Sequence, residues 1–192
     1  MRTVIAVALL LLLPATLLGI PSIGIYFSYN PTNPGQAHYS PALGETFNGY
    51  VYVHNWGCLL TAIEFAVTWP DEPQCLIFGG WSAPEGYLNQ GSLPDGVSIT
   101  WWPPVSDYEY PYHLVATMQF FAACTCVYFG GSMVDVPMQV IPDPGAIPPG
   151  EVWGTCAPEN DLIPFVGETS IICPDLIATE EQSWGAIKEL LK

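Results

Sequence analysis

Apolar and polar residues alternate with a period of two along most of this chain, as they do in half-buried β-strands. The clearest run spans 63–69, where four apolar residues fall on one side and Glu64 and Thr68 on the other. Shorter alternating or apolar segments lie at 25–27, 46–53, 75–78, 97–102, 113–121, 125–129 and 134–140. Turns rich in Gly, Pro or Asn separate them, so the pattern predicts about eight short strands. Pro137 marks the last strand as an edge or a bulge.

These elements predict an all-β fold, an antiparallel β-sandwich of the Ig-like or jelly-roll type, over residues 20–141. Residues 142–178 are rich in proline and show little periodicity, so we expect a disulfide-tied extension there. Residues 179–192 place Trp184, Ile187 and Leu191 on one stripe, which predicts a short C-terminal α-helix. This helix either packs on the sandwich or docks on a partner, because a helix of this length is marginal alone.

The charge balance narrows the classes of partner. The chain carries 18 Asp and Glu against 3 Lys and Arg, a formal net charge of −15. The negative charge reflects the scarcity of Lys and Arg, since Asp and Glu are not unusually frequent for a chain of this length. With no basic patch to neutralise phosphates, nucleic acid and anionic lipid surfaces are excluded as partners.

Residues 1–19 follow the pattern of an export signal. Arg2 precedes the apolar run Val4–Leu13, Pro14 interrupts that run, and a small residue, Gly19, stands at its end. The apolar stretch is shorter than the ~20 residues that a spanning helix needs. We therefore expect cleavage after Gly19, secretion to an extracellular or periplasmic space, and a mature chain without a membrane anchor.

Six cysteines follow this segment: Cys58, Cys75, Cys124, Cys126, Cys156 and Cys173. An even number in an exported chain predicts disulfides. Their spacing favours a bond from Cys156 to Cys173, with Cys58 and Cys75 shared between Cys124 and Cys126. The alternative is a thiolate metal site at Cys124 and Cys126, although the C-x2-C spacing of such sites is missing.

The stretch 101–112 is dense in aromatic side chains and poor in charge. Sugar rings stack their apolar faces on aromatic planes, and neighbouring acids accept hydroxyl hydrogen bonds. We therefore expect a surface for a glycan or an extracellular protein here, which Tyr87 could extend. The alternative is that aromatics and prolines wrap a long loop against the domain. The candidate ligand-binding residues are Trp81, Trp101, Trp102, Tyr108, Tyr110 and Tyr112.

Calcium is a second metal ion for which the sequence offers candidate ligands. Asp107 with Glu109, and Glu159 with Asp161, bring oxygen ligands close together in turns, as a hard cation requires. Neither pair fits an EF-hand loop, and solvated turn carboxylates are the simpler interpretation.

Catalytic patterns are weak. The chain has no G-x-S-x-G elbow, and its three histidines, His38, His54 and His113, are interpreted as structural or surface residues. Carboxylates such as Glu64 could form a glycosidase pair, but any secreted protein offers such acids. We therefore predict that the chain is not an enzyme.

Two segments carry a resemblance to known proteins. Gly44–Phe47 leading through Val51–Val53, followed by Ala62–Trp69, resembles the opening strands of cohesin and carbohydrate-binding-module sandwiches of extracellular bacterial proteins. In that family a strand after a G-[DE] turn precedes an A-x-E-F-x-[VL] strand. The segment 180–188 is similar to tails of uncharacterised secreted proteins of uncultivated bacteria.

These observations favour a secreted, non-catalytic binding or adhesion module. A structural surface subunit that assembles through a sheet edge or the C-terminal helix is the alternative. A small jelly-roll glycoside hydrolase is the third hypothesis.

Overall fold

The computed structural model of the chain describes residues 20–35, 37–69, 76–123, 127–128, 131–132, 136–146 and 149–172. All regular elements in these ranges are strands, which confirms the all-β prediction. Within the same ranges there is no helix that could cross a membrane. The expected export signal and the expected helix at 179–192 lie outside the described residues.

Fourteen strands occur in the described part of the chain. They are β1 (Ser22–Tyr26), β2 (His38–Tyr39), β3 (Thr46–His54), β4 (Leu59–Thr68), β5 (Leu76–Ser82), β6 (Leu88–Ser92), β7 (Gly96–Ser106), β8 (Tyr112–Ala122), β9 (Val127–Tyr128), β10 (Gly131–Ser132), β11 (Val136–Ile141), β12 (Val152–Ala157), β13 (Asp161–Gly167) and β14 (Thr169–Ile172). The fully exposed strand β6 gave no apolar signal in the sequence.

Twelve strands form one continuous hydrogen-bonded path, in the order β2-β14-β11-β4-β12-β13-β1-β3-β8-β5, with β7 and then β6 branching from β4. β9 and β10 form a separate pair. The β1–β13 and β14–β2 pairs are parallel, so the sheet is mixed. The purely antiparallel arrangement that we predicted is wrong in these two places, because strands from the last third of the chain return beside the first two.

Inward-facing side chains from β1, β3 and β8 meet those of β4 and β7 in a single core. The largest contributors include Ile25, Val51, Ile63, Phe65, Ile99 and Phe120. A bulge shifts the predicted alternation in β8, because Val51 pairs with Ala116 while Tyr52 pairs with Leu114. The extra residue, Val115, is therefore buried together with Ala116.

The described part of the 142–178 segment is built into the sheets. β12 pairs with β4, β13 pairs with β1, and β14 pairs with β11. Val152, Gly154 and Cys156 do alternate inward along β12. Because these inward-facing residues are small on average, the alternation of apolar and polar residues is weak in the sequence. Gly154 has to be small, since a side chain there would meet the ring of Phe165.

Pro137 lies on β11, which is paired on both edges over part of its length. Pro137 pairs with Ile171 of β14, whereas the pairing of β11 with β4 begins two residues later, at Gln139. A proline has no N–H to donate, so it is tolerated where the strand has one neighbour.

A disulfide joins Cys58 to Cys156, with 5.9 Å between their Cα atoms. The predictions that Cys156 bonds to Cys173 and that Cys58 bonds to Cys124 or Cys126 are therefore wrong. Antiparallel pairing of β4 with β12 places Leu60 opposite Cys156, which brings Cys58 close to Cys156. Strand pairing over this distance along the chain leaves no local pattern from which the bond could be predicted. The other four cysteines lie outside the described residues.

We expect the Cys58→Ala/Cys156→Ala double variant to lose about 4 kcal/mol of unfolding free energy. The bond closes a loop with a sequence separation of 98, which restricts the unfolded chain strongly. Urea unfolding of both proteins under non-reducing conditions measures the loss. Peptide mapping that found Cys156 cross-linked to Cys173 would contradict the assignment.

Candidate functional site

The ladder between β4 and β7 is interrupted in its middle. Leu60 pairs with Val105, but Ala62 pairs with Thr100, so residues 101–104 stand opposite Thr61 alone. Pro103 and Pro104 lack N–H groups and cannot continue a ladder, which explains why the bulge forms here. A cleft lies beside the bulge, and residues 101–105 of β7 line it.

Two indoles bond to the backbone on either side of this bulge. The Trp101 Nε1–H donates to the Leu60 carbonyl at 3.0 Å, and the Trp56 Nε1–H donates to the Val105 carbonyl at 3.2 Å. Both tryptophans are buried. They therefore satisfy backbone acceptors at the place where the regular strand pairing stops.

The cleft has a volume of about 420 Å³. It lies between the bulge of β7, the residue before β6 and the beginning of β8. Its lining residues are Tyr87, Trp101, Trp102, Pro103, Pro104, Val105, Glu109, Tyr110 and His113.

The floor of the cleft is an aromatic stack. Tyr87 stacks on Trp101 with ring centroids 5.4 Å apart and on His113 at 5.9 Å. The Tyr87 hydroxyl and the His113 Nε2 form a hydrogen bond of 2.8 Å. Burial lowers the pKa of His113 to about 4 and raises the pKa of Tyr87. At neutral pH the floor is therefore uncharged and offers one polar pair.

The rim is more exposed than the floor. Trp101 is 6% exposed, whereas its neighbour Trp102 is 81% exposed and Tyr110 is 47% exposed. A turn at 107–109 carries Glu109, and Ser106 accepts backbone hydrogen bonds from Glu109 and Tyr110. The Asp107 carboxylate accepts from the Gly57 N–H at 2.7 Å, which fixes the turn against the neighbouring loop.

The structure brings together three of the six predicted ligand-binding residues, Trp101, Trp102 and Tyr110, in this cleft. Tyr108 stands beside it on the turn and is 98% exposed. Sequence reasoning missed His113 as a cleft residue, because an isolated histidine at the start of a strand gives no sign of the loop that covers it.

Trp81 and Tyr112 lie elsewhere. Trp81 lines a separate groove of about 380 Å³ with Asn48, Gly79, Gly80, Ser82, Thr117 and Gln119. Its indole donates to the Ser92 hydroxyl. Tyr112 packs against Tyr26, Tyr52 and His54. Neither residue lines the cleft at the β7 bulge.

The calcium candidates do not form a ligand cage in the described part of the chain. Among the residues described, no group of three or more His, Cys, Asp or Glu side chains is arranged to hold a metal ion. Asp107 directs one oxygen to a backbone N–H. Glu109 lines the cleft, and Glu159 is exposed next to Asp161.

A second polar cluster joins β1, β3 and the residue after β13. The Glu168 carboxylate accepts from the Tyr26 hydroxyl and from the His54 Nε2, each at 2.7 Å. The Asn55 amide lies 2.9 Å from the other His54 ring nitrogen. The hydrogen bond from His54 is the main cause of a lowered Glu168 pKa. The cluster fixes strand positions and is separate from the cleft.

Comparison with solved structures finds weak likeness to cohesin modules. The cohesin module of a Clostridium perfringens family 33 glycoside hydrolase aligns at 5% identity and a TM-score of 0.49, covering 81% of this chain and 98% of that one. A type II cohesin domain from the cellulosome of Acetivibrio cellulolyticus aligns at 13% identity and 0.47, covering 81% and 96%.

The sixth cohesin of Acetivibrio cellulolyticus scaffoldin B, solved with the Cel5 dockerin, aligns at 9% identity and 0.48, covering 80% and 98%. No protein-family model matches the sequence, and no curated protein matches it. The matches accord with the weak cohesin-like resemblance of the opening strands. They assign no partner, ligand or binding face to this chain.

We expect Trp101→Phe to destabilise the fold by about 2 kcal/mol, because the buried Leu60 carbonyl loses its indole donor. Trp102→Phe is the matched control, since that ring is exposed, and it should cost less than about 0.5 kcal/mol. Urea unfolding measures both. Equal stability losses would contradict the role given to the Trp101 hydrogen bond.

We expect Glu168→Ala to lower stability by about 2 kcal/mol at pH 7, through the loss of two hydrogen bonds to a carboxylate. A lowered carboxyl pKa stabilises the fold above its ordinary value of 4.5, and this contribution disappears as the pH falls through the lowered value. The difference from the parent protein should therefore shrink in acid. Glu151→Ala, at an exposed position, is the control and should cost less than about 0.5 kcal/mol at pH 7.

Proposed function

We propose that this chain is a non-catalytic extracellular binding module that holds a glycan in the β7 cleft. The observation that carries the proposal is the position of Trp102, 81% exposed on the rim of an aromatic-floored cleft of about 420 Å³. A large apolar ring left in water beside a concave site is typical of a contact surface.

The chemistry of the cleft suits a sugar. A pyranose ring has apolar C–H faces that can lie on the rings of Trp102 and Tyr110, and hydroxyls at its edges. The Glu109 carboxylate on the rim and the Tyr87–His113 pair on the floor offer hydrogen-bonding groups for those hydroxyls. The volume falls in the range of small-ligand sites, about 300–1,000 Å³.

The same lining argues for binding without hydrolysis. Glycosidases require two carboxyl groups on either side of the bond that breaks. Among the described residues that line the cleft, Glu109 is the only carboxylate. His113 is half-buried and hydrogen-bonded to Tyr87, so it is poorly placed to serve as a general base.

The Cys58–Cys156 disulfide supports an extracellular or periplasmic location, because such bonds persist in oxidising compartments. The export signal expected at 1–19 points the same way. Assembly through a sheet edge or through residues 179–192 stays a prediction.

We expect the protein to bind a subset of oligosaccharides on a glycan array, and Trp102→Ala and Tyr110→Ala each to weaken that binding about tenfold or more. Each variant removes an aromatic surface on which the sugar would lie. Isothermal titration with the best array ligand gives the affinities.

Tyr29→Ala is the matched control for this experiment. Tyr29 is also a largely exposed aromatic residue, but it packs on Tyr50 away from the cleft, so its loss should leave binding unchanged. A protein that retains no oligosaccharide, or binding that survives both cleft substitutions, would rule out the proposed site.

A further inference from the structure

The side chains of the described residues that are charged at neutral pH are acidic. None of the residues that the structure describes is a lysine or an arginine, because Arg2, Lys188 and Lys192 all lie outside the described ranges. The whole chain has 18 Asp and Glu and a formal net charge of −15. The field around the cleft is therefore negative, and it attracts cationic ligands and repels anionic ones.

The cleft reinforces this preference locally. Glu109 stands on a rim that also presents Trp102 and Tyr110, above a floor that includes the half-buried ring of Tyr87. Aromatic faces attract ammonium groups through their quadrupoles, most strongly for tryptophan. A carboxylate next to exposed aromatic rings is the combination that recognises an organic ammonium group.

The two ionisable groups on the floor of the cleft, His113 and Tyr87, do not repel a cation. Burial lowers the pKa of His113 to about 4, so its imidazole carries no charge at mildly acidic or neutral pH. The Tyr87 hydroxyl beside it remains protonated, because burial raises the pKa of Tyr87.

We propose that the glycan recognised by the cleft is a cationic amino sugar, such as a glucosamine oligomer, whose protonated amine is held between Glu109 and the ring of Trp102. This inference rests on the proposed function, since it names the class of sugar that the same site takes. Uronic acids and sulfated sugars are disfavoured, because they would bring a negative group to a negative rim.

The test compares a glucosamine oligosaccharide with its N-acetylated counterpart of the same length, by titration calorimetry at about pH 5.5, where a free amine is protonated. N-acetylation removes the positive charge and keeps the sugar ring. We expect the amino form to bind about tenfold tighter, from one cation–π contact and one charge pair. The preference should shrink as the ionic strength rises.

Glu109→Gln should reduce this preference, because the amino form loses its charge pair, whereas the amide can still hydrogen-bond the hydroxyls of both oligomers and the affinity for the N-acetylated oligomer should fall less. Glu151→Gln removes the same unit of charge from an exposed position outside the cleft, and the preference should survive it. If both variants reduce the preference equally, the general field selects the cation and the assignment to Glu109 is overturned.

Other outcomes separate this inference from the proposed function. If the N-acetylated or a neutral oligomer binds as tightly as the amino form, and that binding depends on Trp102, the cationic specificity is overturned and the glycan site stands. If neither oligomer binds and the array shows no ligand, the proposed function itself is overturned.

Discussion

The break in the β4–β7 ladder is the constraint from which the candidate site follows. Two consecutive prolines cannot donate hydrogen bonds to β4, so four residues of β7 leave the ladder opposite a single residue of β4. The backbone carbonyls of Leu60 and Val105 then accept from the indoles of Trp101 and Trp56. Because these acceptors are satisfied by side chains from the core, the bulge is a fixed part of the fold.

The bulge also determines that Trp101 packs in the core and that Trp102 is exposed on the surface. Neighbouring residues of a strand point to opposite faces, so anchoring Trp101 inward directs Trp102 outward. The Asp107 carboxylate and the Ser106 carbonyl then hold the turn that brings Glu109 and Tyr110 to the same rim. A single local irregularity thus produces an aromatic floor that belongs to the core and a rim that belongs to the surface.

Much of the fold could be predicted from the sequence because period-two alternation is a local property. The strands at 46–53 and 63–69 appear as β3 and β4, with Phe47, Val51 and Phe65 buried as expected. Pairing between distant strands is not local, so the parallel β1–β13 contact and the Cys58–Cys156 bond had no sequence signal. The strands after residue 151 escaped prediction because Gly154 and Pro164 interrupt their apolar pattern.

The aromatic stretch at 101–112 was recognisable by composition, but composition could not tell its buried residues from its exposed ones. Whether a tryptophan in such a stretch packs inward or outward depends on the register with β4, which only the fold defines.

This division has a consequence for how specificity can change in such a site. Trp101 belongs to the core, and the rings of Tyr87 and His113 pack on it, so substitutions among these three residues alter stability as well as the shape of the cleft. Trp102, Glu109 and Tyr110 are exposed, so substitutions there change the chemistry of the rim with less effect on the fold. The packing of the core therefore constrains the floor of the cleft, whereas residues on its exposed rim can vary with little loss of stability.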